Sequence, residues 1–312
     1  MQNLVTVSVQ VAILFVLMAV GAAARRLRLV DERSIGGMVN VLILIVTPCL
    51  IVDVFQRPFE AAMLDSFGRA FLIAFIAHVA VILLARLTAR GDDSSRPVLR
   101  VATVFSNAGF MGIPLEQAIL GPEGVFYGIV YVIMFNVFMW SWGLYEMKGG
   151  GRLAAEWRAI RPMLVNPGTI GIALGLPLFL FSLSLPSVVK TPVSLLAGLN
   201  TPLAMLVIGY YLAGADFRRV LSSPAAYLAA FVRLVAFPLA FVGVLWLLRA
   251  RLDRTMMLAL TIAASAPVGA MVTMFASRYG RDVDLSVGLV SGTTLLSIVT
   301  MPPVIALAME VL

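Results

Sequence analysis

The stretch Ser106-Asn107-Ala108-Gly109-Phe110-Met111-Gly112-Ile113-Pro114 sets a hydroxyl, an amide, two glycines and a proline inside an apolar run. An intact helix in lipid satisfies its own backbone hydrogen bonds, so such a segment leaves groups that protein, water or solute must complete. The chemistry this offers is recognition. Free N–H groups at the start of a half-helix, together with its positive dipole end, attract a carboxylate without placing a full charge in lipid. Asn107 can both donate and accept, and so orient a carboxylate or a hydroxyl on the solute. Ser106, Ala108 and Gly109 flank it, and Asn136, Ser265, Ala266 and Val268 are candidates to complete the shell. Pro114 and Pro267 are read as architectural breaks, because proline offers no donor.

Charges inside apolar spans raise a second question. Arg233 falls well within one, where a cation costs roughly 2.5–3.5 kcal/mol on insertion scales, so it should face a partner or a water-filled cavity. It is read either as a countercharge or coupling element for an anion, or as a structural partner for carbonyls at a broken helix. Asp53, at a span end, and His78, within a span, are further coupling candidates, with snorkelling and hydrogen-bonded packing as the structural readings. Glu116 is expected as a solvated helix-end carboxylate near the outer mouth. Asp92-Asp93 with Arg90 and Arg96 reads as a solvated turn. One His and one Cys are too few ligands for a transition-metal site, so neither metal nor cofactor is expected, with a sodium ion left open. No paired intramembrane carboxylates or Ser-His arrangement point to an enzyme.

The elements that must position these residues are membrane helices. Apolar residues make up 61% of the 312 and charged ones 12%, far from the roughly half and quarter of a soluble domain. The fold expected is an all-α polytopic membrane protein. Ten spans are predicted at about 4–24, 36–55, 69–89, 98–121, 124–146, 163–185, 192–213, 224–248, 255–277 and 284–310, each near the roughly 20 residues a bilayer demands. Met1 to Ala24 lacks a cationic leader and reads as a retained first helix. Cys49 has no partner for an intrachain disulfide.

Sixteen of the 23 Lys and Arg residues fall in odd-numbered connections, six in even-numbered ones, and Arg233 completes the set. That asymmetry places odd connections in the cytoplasm and both termini outside. It also accounts for the net charge of +7 as topology signals and anionic-lipid contacts, without nucleic acid.

Ten spans divide as five plus five, so the halves lie in opposite orientation. The expected units are a first repeat at 1–146, a cytoplasmic linker at 147–162 and a second, inverted repeat at 163–312. Thr47-Pro48 recurs as Thr201-Pro202, kinks of spans two and seven at Pro48 and Pro202. Ser106 precedes Gly121 as Ser265 precedes Gly280, with Pro114 and Pro267 between. Corresponding interrupted segments in two halves point to a transporter binding site near the midplane. Gly171 with Gly175 and Gly288 with Gly292 read as close helix contacts.

At these residues the chain resembles the auxin efflux carrier family, which includes plant PIN-type auxin carriers and bacterial carriers linked to malate or malonate. The resemblance rests on Asn107 through Met111-Gly112-Ile113-Pro114-Leu115 to Gly121. It extends over Ala263-Ala264-Ser265-Ala266-Pro267 to Phe275 and Tyr279-Gly280, and over Leu285-Ser286-Val287-Gly288 to Pro302. It implies a scaffold of 1–56 plus 163–213, bearing a homodimer contact, and a transport domain of 69–146 plus 224–312. It further implies that broken helices four and nine cross at the midplane, as in bile acid sodium symporters. The long cytoplasmic loop of some plant members is absent, so the compact bacterial type and a bacterial inner (plasma) membrane are expected. The expected activity is secondary transport of a small organic anion, carboxylate or dicarboxylate, by alternating access. A sodium-coupled symporter of the bile acid type is the alternative and an anion channel the remote one.

Overall fold

Apolar runs of this length cannot leave backbone groups unpaired in lipid, and the chain answers with helices throughout. The computed structural model describes residues 2–149 and 167–312. Its helices are α1 (Gln2–Arg26), α2 (Glu32–Val54), α3 (Ala61–Thr88), α4 (Ser95–Val104), α5 (Ala108–Lys148) and α6 (Pro167–Leu180). They continue as α7 (Ser187–Leu212), α8 (Pro224–Arg251), α9 (Arg254–Ser265), α10 (Met271–Arg278) and α11 (Val283–Val311). Among the described residues, seven of them, α1, α2, α3, α5, α7, α8 and α11, are long and apolar enough to cross a membrane. Their outward apolar side chains, such as Val16, Leu72 and Leu247, are exposed, a surface that suits lipid and not water.

Side chains fix the helix starts. Asp31, Ser223, Asp253 and Asp282 accept from the N–H groups of Ser34, Ala226, Met256 and Leu285, satisfying amides that the first turns of α2, α8, α9 and α11 leave free. Asp92 does the same for α4, accepting from the Ser94 and Ser95 amides at 3.0 and 2.7 Å and from the Ser95 hydroxyl at 2.8 Å. These bonds hold its carboxyl below the ordinary value. Asp92 is thus a cap, and its neighbour Asp93 pairs with Arg96.

Three prolines inside long helices are accommodated by one device. Wide π turns at Leu42–Val46, Ala108–Gly112 and Val232–Ala236 precede Pro48, Pro114 and Pro238. A π turn relieves the clash of the proline ring with the preceding carbonyl and absorbs its missing N–H. At the first, the Thr47 hydroxyl donates to the Leu42 carbonyl at 2.8 Å. Pro202 follows an irregular step at Leu199 in α7.

Seven long helices stand where the sequence predicts ten spans, for three local reasons. Predicted span four divides into α4 and the start of α5 at residues 105–107, and span nine into α9 and α10 at 266–270. The rest of span four runs on into span five as α5, yet Gly121 at φ 70°, ψ −162° turns the chain sharply before Pro122. That left-handed value suits only glycine. Span six is described from Pro167 onward. Most of the expected linker 147–162, with Gly150, Gly151, Arg152, Arg158 and Arg161, and the start of span six lie outside the described residues.

Glycines set how closely the helices pack. A Cβ on Gly21 of α1 would strike the Leu206 carbonyl of α7, and one on Gly209 would strike the Met18 carbonyl, so these two backbones touch. Gly171 and Gly175 bring α6 against Pro48 of α2 and Phe55 at its end, where added Cβ atoms would lie 3.1 Å from Pro48 Cα and from Phe55 Cβ. Gly288 meets Val220, whereas Gly292 faces open space. Phe55, Phe126 and Phe179 then join α2, α5 and α6, with ring centroids 5.2 to 6.2 Å apart. α5 also packs on α9 and α3, and α1 on α11.

Candidate functional site

The two interruptions meet. The Asn107 amide donates to the Pro267 carbonyl at 2.6 Å, the Gly269 amide donates to the Phe105 carbonyl at 2.9 Å, and Ser106 pairs with Val268 in an antiparallel bridge. Short extended segments thus satisfy each other where α4 and α9 stop and α5 and α10 start. Gly269 permits this approach, since an added Cβ would sit 3.0 Å from the Ser106 carbonyl oxygen.

The ends of α4 and α9 are held by Arg233. Fully buried in the π turn of α8, its guanidinium donates to the Val104 carbonyl at 2.9 Å and to the Ala264 carbonyl. A cation at two helix C-termini complements both negative dipole ends and completes carbonyls that have no helical partner. Of the two readings offered by the sequence, this geometry is that of the structural partner.

The opposite ends point the other way. α5 begins immediately after Asn107, whose carbonyl accepts from the Met111 and Gly112 amides at 3.0 and 3.1 Å. Among the described residues the amides of Ala108, Gly109 and Phe110 make no backbone hydrogen bond, and the Asn107 side chain does not cap the helix. Nothing lies within 4 Å of where a Cβ on Gly109 would be, so space opens beside these amides. Ala270, just before α10, is exposed. The arrangement places N–H donors beside an opening, with the buried Asn107 carboxamide next to them, the chemistry that receives an anion.

The remaining candidates divide. Ser106, Ala108, Ala266 and Val268 sit in or beside the paired segments, all buried, and the Ser106 hydroxyl has no partner. Ser265, at the end of α9, donates back to the Ile262 carbonyl at 2.9 Å. Asn136 donates to the Val132 carbonyl of its own helix at 2.8 Å, and no hydrogen bond joins it to Asn107. Its neighbour Phe135 packs edge-on against Phe105 at 5.3 Å. Pro267 lies inside its interruption, accepting from Asn107, whereas Pro114 lies within helical structure and the interruption falls upstream of it. His78 is buried, bonded to the Ala74 carbonyl at 2.7 Å and packed on the rings of Tyr131 and Phe138 at 4.7 and 5.3 Å. Asp53 accepts from Ser194, tying α2 to α7 away from the paired segments.

Two residues were not anticipated in these roles. Thr293 of α11 accepts the Val268 amide at 3.0 Å and donates to the Leu289 carbonyl at 2.7 Å, satisfying a backbone donor of the second interruption. Hydroxyls at Ser286, Thr293, Thr294 and Ser297 inside an apolar span were the available signal. Glu116 corrects an expectation outright: it is fully buried, and neither carboxyl oxygen has a partner. The reason is the turn at Gly121, which folds α5 back so that Gly128 lies directly on the carboxyl.

Among known proteins, the membrane transport protein family model matches residues 6–305. The chain is also 28% identical over 295 residues to an uncharacterized transporter of Methanothermobacter thermautotrophicus, covering 92% of this chain and 93% of that relative.

Proposed function

Because this chain belongs to the membrane transport protein family, we propose that it is a secondary carrier for small organic anions, carboxylates or dicarboxylates, with the solute held where the two interruptions pair. The observation that carries this reading is the polarity of the crossing. Both half-helix C-termini are neutralised by Arg233, while the unbonded amides of Ala108–Phe110 lie beside open space at Gly109, next to the buried Asn107 side chain. Such a site prefers an anion over a cation. Asn107 is the principal contact, the backbone at Ala108 and Gly109 its complement, and Ser106, Ser265, Ala266 and Val268 the wall.

In this reading the chain forms ten spans in two inverted halves, with α4/α5 and α9/α10 as the broken fourth and ninth crossing at the bilayer midplane. The scaffold is 1–56 plus 163–213, forming the homodimer contact, and the segments 69–146 and 224–312 move against it in alternating access. Both termini face outside, in the inner membrane of a bacterial cell. Arg233 engages the Val104 and Ala264 carbonyls, oxygen atoms that a sodium ion at the crossing would need as ligands, which favours this carrier over the sodium-coupled symporter. Reconstitution in liposomes and screening of labelled mono- and dicarboxylates under imposed sodium, proton and voltage gradients tests the reading. Saturable counterflow of at least one organic anion is expected, and failure of every organic anion to move would overturn it.

A further inference from the structure

Glu116 is a carboxyl without an explanation in the binding site. It lies on α5 nine residues beyond Asn107, about 13 Å along the helix axis. Both of its oxygens are buried and neither has a hydrogen-bond partner. Glycine backbone packs closely around it. Gly128 comes so close that a Cβ there would overlap the carboxyl, and a Cβ on Gly112 would lie 3.7 Å from Oε1 and 3.5 Å from Ala263 Cα of α9.

No countercharge reaches it. Arg233 of α8 is bound to the Val104 and Ala264 carbonyls, and His78 of α3 is bonded to Ala74. Arg25 of α1 is engaged by the Tyr210 carbonyl and Arg254 of α9 by the Met309 carbonyl, while Asp53 of α2, which would repel and not neutralise a carboxylate, is engaged by Ser194 of α7. Among the described residues, none of these groups forms a hydrogen bond to the Glu116 carboxyl. An ionised carboxylate in such a place would carry the desolvation cost of a bare charge, which proteins avoid by neutralising the group.

We propose that Glu116 is a proton-binding site that couples transport to the proton gradient: it carries a proton in the closed arrangement and releases it when the contact between Gly128 and the first turns of α5 opens to water. The site rests on the carrier reading and adds the driving ion to it. Protonation removes a negative charge from the helix whose N-terminus receives the anion. The closed state with solute bound is therefore reached with a proton aboard, and an inwardly directed proton gradient drives net anion uptake. No covalent step is involved; one O–H bond forms on binding and breaks on release.

The test uses the full chain in liposomes at fixed membrane potential, with a carboxylate that the wild type exchanges and a trapped pH-sensitive dye. Wild-type uptake should be accelerated at least about tenfold by an acid exterior, and the dye should report proton entry with the solute. Glu116→Gln, which keeps the shape of the side chain and is permanently neutral, should still perform counterflow while losing both the acceleration and the proton signal. Unchanged proton dependence in Glu116→Gln overturns the proposal. Wild-type transport that moves no protons overturns it as well, without any variant. Absence of counterflow by the wild type for every anion refutes the carrier reading instead. In that case the infrared band of a protonated carboxyl in the wild type at neutral pH, lost in Glu116→Gln, still decides the protonation: its presence supports the site and its absence overturns it.

Discussion

Arg233→Met separates the structural role of the guanidinium from any other. The wild-type side chain is fully buried and ties the Val104 and Ala264 carbonyls together across α8. Methionine fills similar space with no donor. Two buried carbonyls are then left unsatisfied at about 1–3 kcal/mol each, a loss of about 2–6 kcal/mol. Loss of the charge from two helix C-termini adds about 0.3–1 kcal/mol each. Against this stands relief of roughly 2.5–3.5 kcal/mol for taking a cation out of a span centre. The opposing effects span from near cancellation to about 5 kcal/mol of destabilisation and centre on about 2 kcal/mol, so the variant should insert and purify. Its damage is local: α4 and α9 lose the tie that fixes their ends, and the paired segments between residues 105–107 and 266–270 lose their register. Thermal unfolding in detergent, followed by intrinsic fluorescence, should show a lowered midpoint, and counterflow in liposomes should fall at least about tenfold, which corresponds to about 1.4 kcal/mol of lost preorganisation. Arg233→Lys keeps a charge but not the planar fork, and should recover part of the midpoint. Wild-type midpoint and wild-type counterflow in Arg233→Met would refute the claim that this residue holds the crossing together.

Other expected outcomes follow from single contacts. Gly109→Val places its side chain in open space beside the α5 amides, so the thermal midpoint should stay within about 1 °C while counterflow is blocked or its KM rises; a normal KM would remove that space from the solute path. Gly21→Val drives a side chain into the Leu206 carbonyl of α7, a backbone atom that cannot rotate away, and should lower the yield of folded protein in size-exclusion chromatography far more than Gly36→Val, which meets nothing. Asp92 has its carboxyl held below 3.8, first by the Ser95 amide and hydroxyl, so its stabilisation of α4 is present above the unfolded value and lost as pH falls through the folded one. The difference in thermal midpoint between wild type and Asp92→Asn should therefore be constant near neutral pH and shrink below about pH 4; a difference that grows on acidification would contradict the capping role.

Much of this organisation was legible in the residues because lipid penalises unpaired backbone so heavily. The Asn, Gly and Pro residues at 107–114 and the Ala-Ser-Ala-Pro run at 264–267 announced interruptions that the chain indeed makes. The position of the first was shifted, because Pro114 is carried by the π turn at Ala108–Gly112 and the chain leaves helical geometry earlier, at Phe105. Arg233 was legible as a charge needing partners, but only the three-dimensional meeting of α4, α8 and α9 identifies those partners as carbonyls. Glu116 was misjudged because its burial depends on the reversal at Gly121, which brings Gly128 against it. Thr293 was missed because a hydroxyl in an apolar span commonly bonds its own helix, as Thr103 does with Leu99, and Thr293 does that and accepts Val268 as well.

The central claim is that an organic anion is held by Asn107 and the first amides of α5 at the paired interruptions. Counterflow of a labelled carboxylate into liposomes loaded with the unlabelled compound, measured side by side for wild type and Asn107→Ala of equal insertion and thermal midpoint, tests it most directly. The account predicts saturable exchange by the wild type and loss of exchange in the variant. Exchange at the wild-type rate and KM by Asn107→Ala would contradict it.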